Sequence, residues 1–339
     1  MDPWPDYYEV ARDYRTGIIV DWDNPILACR ANKERYTRPN QHAGLPYLSS
    51  PCSEDAITWN AFRSFQKADS LDIITDKLGI GEPRGLLLWA MAPELGGYNA
   101  IPKSPELGSV NAKLQYITGI LLRNLEGILP GQITEPDVII LGTTGVAVGV
   151  ACKLSEPEEA KHLWEGELDR VKHLRMCLSK YEEKYPVGQK EGVTNDEKNP
   201  GITQGNTTDE NKEPSSGKRN PGIIKNDISD QEVAPVYQLV TMALLAKELG
   251  TYFNVEPVVV SLANSRKWSE KVTETGKSAS DIWDIFTGML GENSTRCEII
   301  FWQQLRGLML GRSLGELQTY LTQRPSLYDL GPAPWDSWE

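Results

Sequence analysis

Asp137, preceded by Pro136, heads the apolar run Val138-Ile-Ile-Leu141, and thirteen residues separate it from Ala151, which lies two positions before Lys153. Side chains two apart on a β-strand share a face, so positions 151 and 153 of one strand can converge with position 137 of its neighbour on one scissile phosphate. Two carboxylates and a lysine so arranged form a metal-dependent phosphodiesterase site. The carboxylates hold a hard cation, Mg²⁺ or Mn²⁺; the cation polarises the phosphate and lowers the pKa of a bound water; the lysine orients that water or stabilises developing charge. Glu54, at the acidic start of a predicted helix, is the third candidate acid. The expected metal positions are Glu54, Asp137 and Ala151, with Lys153 serving the attacking water. An alanine cannot coordinate a cation, so the pattern has a gap at its second acidic position.

A hairpin must bring these positions together. Val138 to Leu141 is continuous, as in a buried strand, whereas Val146, Val148, Val150 and Cys152 alternate with Ala147, Gly149, Ala151 and Lys153, as in a strand with two unlike faces. Between them lies Gly142-Thr-Thr-Gly145. A three-residue loop, Thr143-Thr144-Gly145 with Gly145 left-handed, pairs Gly142 with Val146 and sets Asp137 opposite Ala151. A two-residue loop sets Asp137 opposite Val150 and turns it to the other face. The site therefore requires the longer loop or an equivalent β-bulge.

Around the hairpin, Ser53 reads as a helix N-cap followed by Glu54 and Asp55 in the first turn, with Ile57, Trp59, Phe62 and Phe65 as the apolar side. Gly85 to Met91 is a short apolar run of either type, and Ala112 to Leu129 an amphipathic helix. A charged helix is expected from Ser155, another from Val236 to Leu249 ending at Gly250, and a strand over Glu256 to Ala263. Further helices are expected over Ile282–Leu290, Cys297–Leu310 and Leu314–Leu321. Residues 187–230 are polar, lack aromatics and carry Lys198-Asn-Pro-Gly-Ile202 again as Arg219-Asn-Pro-Gly-Ile223, which reads as a flexible, low-complexity insertion. Residues 1–186 and 231–339 then form one α/β domain, a small mixed β-sheet flanked by helices.

Glu135-Pro-Asp-Val-Ile-Ile140 followed by Ala151-Cys-Lys-Leu154 resembles the PD-(D/E)XK nuclease superfamily. The resemblance covers about Ser53 to Ala263 and implies a restriction-endonuclease-like core. Gln238, within Gln238-Leu239, takes the place of a glutamine that many recombination-type and CRISPR-associated members carry after the motif lysine, although Met242 stands where a tyrosine is usual. The resemblance implies a Mg²⁺-dependent endonuclease acting on DNA in microbial antiviral defence or repair. Ala151 marks either a naturally degenerate member that binds without cutting or an inactivated form whose normal residue is glutamate. Because Asp137, Lys153 and Glu54 all remain, and a decayed site loses several groups together, inactivation is the favoured reading.

Composition restricts the alternatives. Five scattered cysteines, none in a C-x-x-C pair, and three histidines argue against disulfides and zinc, leaving carboxylates as metal ligands. A net charge of -12 argues against coating nucleic acid through a general basic surface and favours the competing reading of a nuclease-like scaffold that engages a protein partner; a homo-oligomer is a separate alternative. A phosphodiesterase acting on a small nucleotide is a third reading. No run long enough to span a bilayer and no secretion signal are legible, so no membrane partner and a cytoplasmic location are expected.

Overall fold

The computed structural model describes residues 14–28, 30, 48, 54–95, 108–128, 135–151, 237–263, 265, 268, 278–290, 295–309 and 313–322. Lys153, the charged segment after it and the expected insertion at 187–230 lie outside them.

Five strands form one sheet in the order β1 to β5: β1 (Pro83–Leu88), β2 (Val138–Gly142), β3 (Gly145–Ala151), β4 (Glu256–Ala263) and β5 (Arg296–Phe301). The first three make an antiparallel meander, and β4 and β5 continue it in parallel with β3. Each parallel step is made through a helix, α4 (Tyr237–Phe253) before β4 and α5 (Ala279–Leu290) before β5. The architecture is thus α/β, a mixed five-stranded sheet with flanking helices.

Strand alternation divides the apolar side chains between two cores. Val138, Ile140, Ala147, Val258, Val260 and Leu262 face α1 (Glu54–Lys67), α2 (Asp72–Leu78), α6 (Trp302–Leu308) and α7 (Gly315–Thr322). Ile139, Leu141, Val146, Val148 and Val259 face α3 (Val110–Ile128), α4 and α5. Trp59, Phe62, Phe65, Trp89 and Trp302 are fully buried in the first core, each contributing about 1.5–3 kcal/mol by leaving water.

Helix α1 is buried almost all round, Asp55 through Arg63 included. Its polar side chains are satisfied by the chain at 17–24: Asn60 Nδ2 donates to Gly17 O at 2.8 Å, Trp59 Nε1 to Val20 O at 2.9 Å, and Arg63 pairs with Asp21 at 2.7 Å. The N-terminal segment is therefore a strap over α1.

Three expectations need correction. Cys297 to Phe301 is the edge strand β5 rather than the start of a helix, which begins at Trp302; parallel pairing with β4 outweighs a pattern compatible with either. Helix α4 does not stop at Gly250 but runs to Phe253; Gly250 is small because a Cβ would lie 2.8 Å from Val255 O. Third, the hairpin has a two-residue loop: Leu141 pairs with Val146, leaving Thr143-Thr144 between Gly142 and Gly145, with no left-handed glycine. The loop amides are claimed elsewhere, Thr143 N bonding Glu82 O and Thr144 N and Gly145 N bonding Ile80 O. A Cβ at Gly145 would lie 2.6 Å from Ile80 Cγ2, so the close approach of Ile80, not a turn dihedral, requires that glycine. Helix α2, which the sequence pattern did not reveal, ends on left-handed Gly79, whose N–H caps Asp76 O.

Candidate functional site

In the two-residue register, plain alternation sends Asp137 to the face of Ile139, away from the positions it was expected to join. The backbone breaks the alternation at this residue. In a regular strand the N–H and C=O of one residue address the same neighbour. Asp137 instead donates its N–H to Gly149 O at 3.0 Å on β3 while its C=O accepts from Trp89 N at 3.1 Å on the β1 side. Val138 is also paired with Gly149, so Asp137, immediately before β2, and Val138 both address one residue of β3, the hydrogen-bond pattern of a β-bulge. The backbone of 137 thereby shares Gly149 with that of 138. Two residues beyond Gly149 on β3 is Ala151, the last residue of the strand, paired with Leu262 of β4. Asp137 is buried, 3% exposed.

Gly149 makes this packing possible. A Cβ there would lie 2.5 Å from Val138 Cγ1, closer than real side chains approach.

Glu54 is the first residue of α1, and the structure brings that helix start to the head of β2. Arg30 is the link. It donates from Nε and Nη2 to Asp55 Oδ2 at 3.2 and 3.1 Å, and from Nη1 to Glu135 Oε2 at 3.2 Å. All three side chains are largely buried, at 13% exposure for Arg30 and Glu135 and 2% for Asp55. The guanidinium also lies over the Trp89 ring, 5.1 Å from its centroid. Gln238 is the second residue of α4, which runs back over the sheet into β4, so its first turn lies toward the Ala151 end.

Trp89 and Ala90 form a strained turn at this same end. Leu88 N bonds Met91 O at 2.8 Å and Met91 N bonds Leu88 O at 2.9 Å, closing a two-residue hairpin whose central residues have φ of 50° and 60°. Such turns favour Asn-Gly, and each non-glycine residue there costs about 1–3 kcal/mol. The conformation is held by the Trp59 ring stacked on Trp89 at 5.7 Å, by Arg30 and by the bond to Asp137.

Among the described residues no three His, Cys, Asp or Glu side chains are grouped to hold a metal ion. Asp55 and Glu135 are engaged by Arg30, and residue 151 is an alanine, which cannot coordinate a cation. As the chain stands, the donor set does not fit a cation in the manner the resemblance implies. A groove of about 550 Å³ opens elsewhere, lined by Thr143, Thr144, Lys247, Asn254 and Glu256. It lies at the loop end of the hairpin, away from Asp137, and burial lowers the Lys247 pKa despite the neighbouring Glu248.

Arg30 carries no signal in the sequence, and Asp55 and Trp89 read there only as a first-turn helix acid and part of an apolar run. Arg30 lies 25 residues from one carboxylate and 105 from the other, with no periodic signal joining them. Gly149 did carry a signal, since a glycine inside a strand marks a bulge or a close approach. Compared with family models, with curated proteins and with solved structures, the chain matches none.

Proposed function

We propose that this chain has the framework of a Mg²⁺-dependent nuclease with a restriction-endonuclease-like core, impaired by alanine at position 151. The observation that supports the reading is the backbone at Asp137, whose N–H bonds Gly149 O while its C=O accepts from Trp89 N, the pattern of a β-bulge that would turn this residue toward the face of position 151. The acidic start of α1 beside the Glu135–Asp137 stretch, and the mixed sheet flanked by helices, add support. With an acid restored at 151, Glu54, Asp137 and that acid would hold Mg²⁺ or Mn²⁺, which supplies phosphate polarisation and an activated water when bound. Lys153 would orient the water, and Gln238 would approach from α4. DNA is the substrate this reading favours, in a cytoplasmic defence or repair role.

The test is Ala151→Glu, assayed on plasmid, linear and single-stranded DNA with Mg²⁺ or Mn²⁺. Cleavage by the variant and none by the parent chain supports the reading; a folded variant that cuts nothing overturns it.

The net charge of -12 favours a second reading, a nuclease-like scaffold whose acidic surface binds a protein partner. A salt titration separates the two: nucleic-acid affinity that falls steeply with salt supports the nuclease, and its absence beside a stable protein complex supports the scaffold.

A further inference from the structure

We infer that Arg30 is a positioning residue, the clamp that holds Asp137 and the start of α1 in their places. A guanidinium presents five N–H donors in a rigid fork, and three contacts of this one go to two carboxylates on different elements. Asp55 follows Glu54, and Glu135 precedes Asp137 by two residues, so the ion pairs fix one flank of each candidate acid. Its flat face rests on Trp89, whose backbone N–H bonds Asp137 O and so fixes the other flank. The strained turn at Trp89-Ala90 needs such a restraint, because left-handed non-glycine residues persist only where the surroundings over-determine them.

The role in holding Asp137 stands on geometry alone; its consequence for metal binding rests on the nuclease reading. Arg30→Gln keeps polarity but removes the guanidinium charge and fork from Asp55 and Glu135, and Arg30→Lys keeps the charge but loses the fork. Arg63→Gln serves as the matched control, since it breaks the strap's other buried ion pair, with Asp21. In the parent chain, hydrogen exchange is measured on peptides covering 86–91 and 135–140. Arg30→Gln accelerates exchange there by about tenfold or more, Arg30→Lys by less, and Arg63→Gln leaves both peptides unchanged. In the Ala151→Glu background, Arg30→Gln raises the Mg²⁺ concentration for half-maximal cleavage by about tenfold, while Arg63→Gln does not. Equal exchange in the Arg30 and Arg63 variants overturns the clamp, whatever the activity. Failure of Ala151→Glu to cut, with the exchange result intact, overturns the nuclease reading and leaves the clamp standing.

Discussion

Gly149→Ala tests the placement of Asp137 most sharply, because the alternative hairpin registers predict different partners for the new methyl group. In the observed register the added Cβ would lie 2.5 Å from Val138 Cγ1, about an ångström inside ordinary contact, with Val138 O at 3.6 Å and Val260 O at 3.7 Å on its other sides. Relief requires Val138 to leave its rotamer or β2 to shift, and overpacking of this kind costs about 1–3 kcal/mol. Val138→Ala alone removes two buried methyl groups, a loss of about 1.6 kcal/mol at ~0.8 each, plus a cavity term. In the double variant the new methyl occupies the space vacated by the old ones. The penalties then fail to add, by about 1–2 kcal/mol in the stabilising direction. Urea unfolding with a shared m-value measures this cycle. In the three-residue-loop register Gly149 would face Ile139 instead. Additivity with Val138→Ala within about 0.5 kcal/mol, together with coupling to Ile139→Ala, would refute the register and with it the bulge.

Other consequences are open to simpler assays. Gly142→Ala places a Cβ 2.1 Å from the backbone oxygen of Ile80, which cannot rotate away, so unfolding measurements should record a loss of about 3 kcal/mol or more. At Asp21 burial opposes ionisation, but hydrogen bonds from Asn24 and Arg63 and the charges of Arg63 and Lys67 outweigh it and hold the carboxyl below its ordinary range. A depressed folded-state pKa stabilises above the unfolded value of about 4 and is lost as pH falls through the folded one. Asp21→Asn should thus destabilise most at neutral pH, with the penalty shrinking below about pH 4 in a pH series of melts. Burial, with Glu298 beside it, raises the Cys297 pKa to about 12, so peptide-resolved alkylation at pH 8 should modify Cys297 in the folded chain far more slowly than in the urea-unfolded chain.

Legibility in the sequence followed the range of the interactions. Glu256 to Ala263 was read to the residue because a β-branched apolar run buried on both faces admits one interpretation. Val138 to Leu141 and the alternation of β3 were equally plain. The loop length was misread because Gly145 has two possible reasons to be glycine, a left-handed dihedral or a close neighbour. Only Ile80, 65 positions away in the chain, decides between them. Cys297-Glu-Ile-Ile-Phe301 suited either a strand or a helix until β4 lay beside it. The Arg30 bridge and the Trp89-Ala90 turn were not legible at all, since both depend on packing between remote segments and the turn runs against local preference. Asp137 shows how these combine: its type and position were readable, while its face depends on one backbone hydrogen bond to Gly149.

Calorimetric titration with Mn²⁺ tests the central claim, that Asp137 and position 151 belong to one cation site. Ala151→Glu should bind Mn²⁺, the parent chain at least tenfold more weakly, and Ala151→Glu with Asp137→Asn should return to the parent's weak binding. Mn²⁺ affinity that is unchanged by either substitution, in proteins that melt as cooperatively as the parent, would contradict it.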